Sequence, residues 1–217
     1  VSMDALAPPW CVPLLERMPE ICEVIASPFA HGELKLRARW KLGRKLAQRK
    51  YDNAIVLPNS LKSALIPFFA DIPLRAGYVG ELRYGLLNLV HKLDQKKLPL
   101  MAERYAQLAE KPGAQLQRPL PAVRLEVDPV NTARTTARLD LERSRPVAAF
   151  CPGAEYGPAK RWPARHFAAL ARELAGRGYA VWLIGSGKDA ELGAEIRAQS
   201  GDVCANLCGK TDLASAI

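Results

Sequence analysis

Short apolar runs alternate with longer amphipathic stretches along the chain. Val1–Leu6 reads as a first strand, closed by Ala7-Pro8-Pro9. WCVPLLERMP predicts a short helix with Trp10, Leu14 and Leu15 on one side, and ICEVIAS (21–27) a β-branched strand. In Lys35–Lys50, Leu36, Trp40, Gly43 and Ala47 recur at helical spacing, with Leu42 and Leu46 beside them. That stretch holds eight bases and no acid, so it predicts an amphipathic helix with a basic outer face. AIVL (54–57) is a buried-strand run and Pro58-Asn59-Ser60 a turn. Ser60 is the N-cap candidate for the apolar helix LKSALIPFFA. IPLRAGY predicts another strand, GELRYGLLNLVHKLD mixed helix, and Leu98–Glu110 a further helix.

From Lys111 the pattern breaks. KPGAQLQRPLPAVRLEVDPV carries four prolines, and a short polar helix around Thr132–Asp140 follows. A second α/β run then begins: PVAAF as strand, WPARHFAALARELAGRG as helix, YAVWLIG as strand, SGKDAELGAEIRAQ as helix, DVCANLCG as strand. The first of these helices has Pro163 in its first turn and Gly176 and Gly178 at its far end, with Phe167, Leu170, Ala171 and Leu174 on the expected buried face. Strands alternating with helices predict βαβ units and parallel sheets. The expected organisation is two Rossmann-like lobes: 1–115, a Pro-rich linker with a short helix over 116–145, and 146–217.

Composition is that of a globular chain, with 49% hydrophobic and 24% charged residues among 217. Five cysteines (Cys11, Cys22, Cys151, Cys204, Cys208) and the scattered His31, His91 and His166 have no metal-site or disulfide-framework spacing, which points to reduced thiols and no metal. The sequence contains no apolar run long enough to span a membrane and no secretory leader pattern. A net charge of +9 and a pI near 9.5 call for an anionic partner, whether nucleic acid, lipid headgroup, nucleotide or phosphorylated sugar. VSMDALAP reads as the middle of a fold and GKTDLASAI as the start of a helix, so further sequence is expected beyond both ends.

Two loops carry candidate chemistry. CPGAEYGPAKRWP (151–163) follows PVAAF, at the carboxyl end of a strand, where open parallel sheets bind ligands. Gly153 permits close backbone approach, the following helix offers free N–H groups, and Lys160 and Arg161 add two charges. The set suits a diphosphate, although it is neither a Walker A loop nor a dinucleotide fingerprint. GSGKDAE (185–191) follows the next strand, with Asp189 placed either to cap its helix or to bind a ribose diol. Plainer alternatives stand beside each: Lys160 and Arg161 as solvated bases, Trp162 as a packing anchor, Glu155 bonding its own backbone, His166 at the surface, Cys151 as a small core residue, and Lys35–Lys50 as a solvated helix face.

Two stretches, VLPNSLKSALIPFFADIPLRAGYVGELRYGLLN (56–88) and CPGAEYGPAKRWP with its helix and GSGKD loop, resemble the ADP-heptose:lipopolysaccharide heptosyltransferases of glycosyltransferase family 9; LMAERY and LCGKTDL fit as well. The resemblance implies the α/β GT-B fold of two Rossmann-like lobes. It implies an inverting glycosyltransferase that moves heptose from ADP-L-glycero-D-manno-heptose to a heptose of the lipopolysaccharide inner core. Gly153, Ala154, Glu155, Tyr156, Lys160, Asp189 and Thr211 would then bind the donor, with Lys160 also stabilising the leaving ADP. Asn59, Ser60, Lys62 and Arg104 would face the acceptor. No cofactor or metal is expected. The implied general base, and part of the donor site, lie outside these residues, so the 217 residues alone are expected to be inactive. The expected location is cytoplasmic and peripheral, at the inner face of the inner membrane, with the basic Lys35–Lys50 helix toward the membrane or the acceptor. Two rivals remain: another GT-B sugar-nucleotide enzyme, and, from a different class, a basic nucleic-acid-binding protein. Against the second, aromatics are only 7% and no nucleic-acid-binding motif is present, so no nucleic-acid partner is expected.

Overall fold

The computed structural model describes residues 2–155 and 157–217. The chain falls into two units: Val1–Pro28 with Arg124–Ile217, and Phe29–Val123.

The first unit holds two parallel sheets. Strands β1 (Asp4–Ala7) and β2 (Glu23–Ala26) pair with each other, joined through the single-turn helix α1 (Val12–Leu15). Trp10, expected on the packed side of that helix, is instead exposed in a 3-10 turn that precedes it. Residues 1–28 therefore group with 124–217, where the sequence pattern grouped them with 29–115. The tie is local: Glu126 N–H donates to the Arg17 carbonyl (2.7 Å), and the Arg17 guanidinium reaches Asp128 (3.5 Å). Asp128 also caps α5 (Pro129–Arg138) by accepting from Asn131 N–H, so this helix starts three residues earlier than its polar run predicts.

The other sheet of this unit is β6 (Val147–Phe150), β7 (Ala180–Leu183) and β8 (Cys204–Asn206), in that order and parallel. Helix α6 (Ala164–Gly176) connects β6 to β7, and α7 (Ala190–Gln199) connects β7 to β8. Both are βαβ crossovers, as the alternation predicts. Ala164, Ala168 and Ala171 are the fully buried positions of α6, and small side chains let it lie close against Val181 and Leu183. Phe167, Leu170 and Leu174 are half-buried, and Phe167 and Leu174 flank this core. The register aligns Phe150, Leu183 and Asn206 across the three strands. The segments that follow those residues therefore leave from one edge of the sheet.

The second unit has a parallel sheet in the order β3 (Asn53–Val56), β4 (Leu74–Tyr78), β5 (Leu89–His91). Helices α2 (Leu36–Ala47) and α3 (Leu61–Phe69) pack together, and α4 (Met101–Ala106) lies further along. Gly43 sets the α2–α3 distance, because a Cβ there would fall 2.5 Å from the Phe69 Cβ. That contact rotates the expected stripe: Arg39, Gly43 and Leu46 are buried, while Leu36 and Trp40 are about half exposed. Arg39 is thus an exception on a basic helix. Its guanidinium donates to the carbonyls of Leu34, Glu33 and Lys62 and lies 4.1 Å over the Phe29 ring.

The predicted mixed helix over 80–94 is absent. Glu81, Leu82 and Gly85 take positive φ, which breaks any helix, and the chain continues as an irregular loop into β5. Among the described residues, no helix is long and apolar enough to cross a membrane.

Candidate functional site

Three loops leave the carboxyl edge of β6, β7 and β8. In the first, Pro152 is fully buried and anchors the exit from the strand. Gly153 backs onto the Asp189 carboxylate, so closely that a Cβ would sit 2.3 Å from an oxygen. The second loop also presses on Asp189, since a Cβ at Gly185 would lie 3.0 Å from it. Asp189 Oδ2 accepts from Ser186 N–H (2.9 Å) and Ser186 Oγ–H (2.7 Å). Asp189 therefore closes the 3-10 turn (Gly187–Asp189) that precedes α7 and spaces the two loops, with one carboxylate oxygen occupied by Ser186; its side chain makes no cap bond to α7 itself. The third loop joins through Gly209 N–H, which donates to the Gly185 carbonyl (2.9 Å).

These loops bring together most of the expected donor residues. Ala154 presents its carbonyl to Arg161 (3.4 Å). Glu155 pairs with Lys188 at 3.3 Å, across from one loop to the other, and not with its own backbone. Lys188 was not singled out by the sequence pattern; an acid and a base thirty-three residues apart leave no local signal. Lys160 ends a short 3-10 turn and is exposed, and its side chain has no hydrogen-bond or ion-pair partner among the described residues. Thr211 lies half-buried on the third loop, just before α8 (Leu213–Ala216), whose cap Asp212 accepts from Ser215 N–H. Tyr156 lies outside the described residues.

Several open alternatives close here. Trp162 stacks on His166 at 5.4 Å and meets Phe167 edge-on at 4.9 Å, so it anchors the start of α6. His166 is exposed, as the plainer reading had it. Cys151 is exposed and not a core residue; the core thiols are Cys204 and Cys208, whose ionisation burial pushes up.

The expected acceptor residues lie in the second unit. Asn59 is exposed at the turn between β3 and α3, and Ser60 and Lys62 are half-buried. Ser60 makes no side-chain cap. The free N–H of Leu61 is met instead by Glu81 Oε2 (2.7 Å), twenty residues on. The turn is held by Arg83, which donates to the carbonyls of Pro58 (2.6 Å) and Tyr78 (2.6 Å). Burial pulls the Arg83 pKa down from its ordinary value. Arg104 is half-buried, and its guanidinium is bonded to the carbonyls of Leu98 (2.9 Å) and Pro99 (3.2 Å). No recorded hydrogen bond joins it to the Asn59–Lys62 turn among the described residues.

A cavity of about 470 Å³ also opens in the first unit, beside Arg17, Asp128, Asn131 and Arg134. Arg17 is paired with Asp128, Arg134 donates to Asn131 Oδ1 (2.8 Å), and Glu16 and Glu126 also line the cavity, so its lining mixes both charges.

A parallel sheet whose three loops carry glycines, a lysine side chain with no partner among the described residues and a helix start is a Rossmann-type unit, of a kind that can receive a phosphate. Residues 39–217 match the sequence profile of glycosyltransferase family 9 (heptosyltransferase). The chain belongs to that family. It is 49% identical to lipopolysaccharide heptosyltransferase 2 of Escherichia coli K12, over 99% of this chain and 64% of that protein. It is 46% identical to lipooligosaccharide heptosyltransferase 2 of Haemophilus influenzae, over 100% of this chain and 65% of that one. It superposes on the solved E. coli ADP-heptose lps heptosyltransferase II with a TM-score of 0.87 at 47% identity, covering 99% of this chain and 66% of that one. A glycosyl transferase family 9 structure from Veillonella parvula, at 19% identity and TM-score 0.82 over 99% of this chain and 62% of that one, shares the fold. The chain thus has the α/β, GT-B-type fold that the family resemblance implied, and it spans just under two thirds of the length of these relatives.

Proposed function

We propose that the protein this chain belongs to is a lipopolysaccharide heptosyltransferase of the type-2 kind, moving heptose from ADP-L-glycero-D-manno-heptose to a heptose of the inner core with inversion. The observation that carries this is the exposed, unpaired Lys160 on a loop fixed against Asp189, read together with 46–49% identity to proteins named for that reaction. In an inverting transfer a base removes the acceptor hydroxyl proton, the oxygen attacks the anomeric carbon, and ADP leaves with its electron pair. Negative charge grows on the leaving diphosphate. Lys160 supplies a full positive charge there, and the N-terminal N–H groups of α6 supply oriented dipoles. Gly153, Ala154 and Glu155 line the same loop; Asp189 keeps one oxygen for a ribose hydroxyl, and Thr211 is assigned to the adenine ring. Tyr156 completes the proposed donor set.

On the acceptor side the proposal assigns Asn59, Ser60, Lys62 and Arg104 to the anionic inner-core glycan. The proposed location is the inner face of the inner membrane, with Arg37, Lys41 and Lys45 of α2 exposed toward anionic headgroups. The reaction is proposed to need no metal or cofactor, so chelation with EDTA is expected to leave turnover unchanged.

The experiment is a calorimetric titration of the complete gene product with ADP and, separately, UDP. ADP binding at least about tenfold tighter than UDP is expected, a discrimination of roughly 1.4 kcal/mol. Equal or tighter UDP binding would move the protein to another sugar-nucleotide enzyme of the same fold.

A further inference from the structure

We propose that the loop from Gly80 to Gly85 is a built part of the acceptor site. Glu81 and Arg83 are its positioning residues, and Leu82 and Tyr84 are the side chains that meet a sugar ring of the acceptor. The proposal rests on reading Asn59-Ser60-Lys62 as the acceptor turn.

The loop carries exposed side chains on both sides of one buried residue, Arg83. Glu81, itself exposed, caps α3 by accepting from Leu61 N–H. Arg83, 2% exposed, points in and spreads its guanidinium over the turn, reaching the Pro58 carbonyl, Ser63 Oγ (3.2 Å) and Asn59 Oδ1 (3.5 Å) as well as the end of β4. Gly80 touches the same turn, since a Cβ there would lie 2.9 Å from the Asn59 carbonyl oxygen. Loop and turn are therefore one object. On either side of the buried Arg83, Leu82 is 81% exposed and Tyr84 64% exposed.

That arrangement is costly in two ways. Glu81 and Leu82 both sit at positive φ (42° and 53°), a region that side-chain-bearing residues rarely occupy. Arg83 is buried with its Nε unbonded among the described residues, which forfeits hydration of a charged group. A plain connection would relieve the strain with glycine and the burial with an apolar side chain. Here a buried cation, bonded to the Asn59 turn, holds a strained loop whose aliphatic and aromatic side chains stand in water. A sugar ring has the matching chemistry: its apolar C–H face lies flat on an aromatic ring, the Tyr84 hydroxyl offers a polar edge, and Lys62 stands on the adjoining turn for the acceptor's phosphate.

The test uses the complete gene product with ADP-heptose and a heptose-bearing, delipidated core glycan. Tyr84→Ala is expected to raise the KM for the glycan about tenfold while the KM for donor and the thermal midpoint stay put. An unchanged glycan KM overturns the contact role. Glu81→Gln keeps an oxygen for Leu61 N–H and is expected to hold the glycan KM at the starting value, whereas Glu81→Ala raises it; equal values in both overturn the positioning role. Glycan titration without donor separates this proposal from the reaction it rests on. Weaker binding by Tyr84→Ala in a protein that transfers no heptose would fault the reaction and keep the loop. Equal binding by both proteins overturns the loop whatever the transfer assay shows.

Discussion

At the edge of β6, β7 and β8, the tight contacts are backbone against carboxylate. Gly153 and Gly185 close on Asp189, and Lys160 stands free in solvent. At the turn before α3, the tight contacts are a buried side chain against backbone. Arg83 satisfies the carbonyls of Pro58 and Tyr78 and leaves little charge at the surface. The first arrangement keeps its cation available and fixes the position by excluding Cβ atoms. The second spends its cation on holding the turn, so any charge for a ligand must come from a neighbour such as Lys62. Substitutions should therefore separate cleanly: charge changes at the donor loops affect chemistry, and changes at the turn's brace affect stability first.

The largest expected stability effect is Arg83→Met. It leaves buried carbonyls of the turn unbonded, and about 3 kcal/mol should be lost, measured by urea denaturation. Lys160→Ala, on an exposed and unpaired side chain, should stay within about 0.5 kcal/mol in the same assay. A similar loss in both would erase the distinction.

Gly153→Ala comes next. The new methyl overlaps the Asp189 carboxylate, so one loop must give; a cost of about 1–3 kcal/mol and weaker ADP binding are expected. Unchanged ADP affinity by calorimetry would show that the loop spacing is not what shapes the site. Asp189→Ala should cost about 1 kcal/mol through the lost bonds to Ser186, with Asp189→Asn closer to the starting protein because an amide oxygen still accepts from Ser186.

The smallest effect is electrostatic. His91 is buried with Nε2 unbonded among the described residues, and burial pulls its pKa down. The unfolded chain, with an ordinary histidine near about 6.5, then binds the proton more readily than the folded one. Stability should be intact above that pH and fall as pH drops below it, until the folded histidine also protonates. His91→Phe should flatten the slope of the thermal midpoint between about pH 7.5 and 5.5; an unchanged slope would assign it to other groups.

The two regions also differ in how far the amino-acid order foretold them. Glycine, proline and paired bases between a strand and a helix are local signals, so the two glycine-bearing loops and their place at the carboxyl edge of the sheet could be read in advance. The contacts of Asp189 and Trp162 stayed open until hydrogen bonds to Ser186 and ring contacts to His166 fixed a closed turn and an anchor. The acceptor brace had no such signal. Glu81 acts on Leu61, Arg83 on Pro58, and Lys188 on Glu155, over separations that periodicity does not sample. Hydrophobic spacing in GELRYGLLNLVHKLD resembled a helix, yet the burial of Arg83 decided the backbone. Arg39 is a further case: it is buried on the Gly43 face of the basic helix, bonded to carbonyls that periodicity does not sample.

Release of ADP from ADP-heptose in the presence of a heptose-bearing core acceptor, by the complete gene product and by Lys160→Ala, tests the central claim most directly. The unsubstituted protein is expected to release ADP and form a product of inverted anomeric configuration. Lys160→Ala should be slower by about 100-fold or more with its thermal midpoint preserved. Absence of ADP release by the unsubstituted protein, or near-normal turnover by Lys160→Ala, would contradict the account.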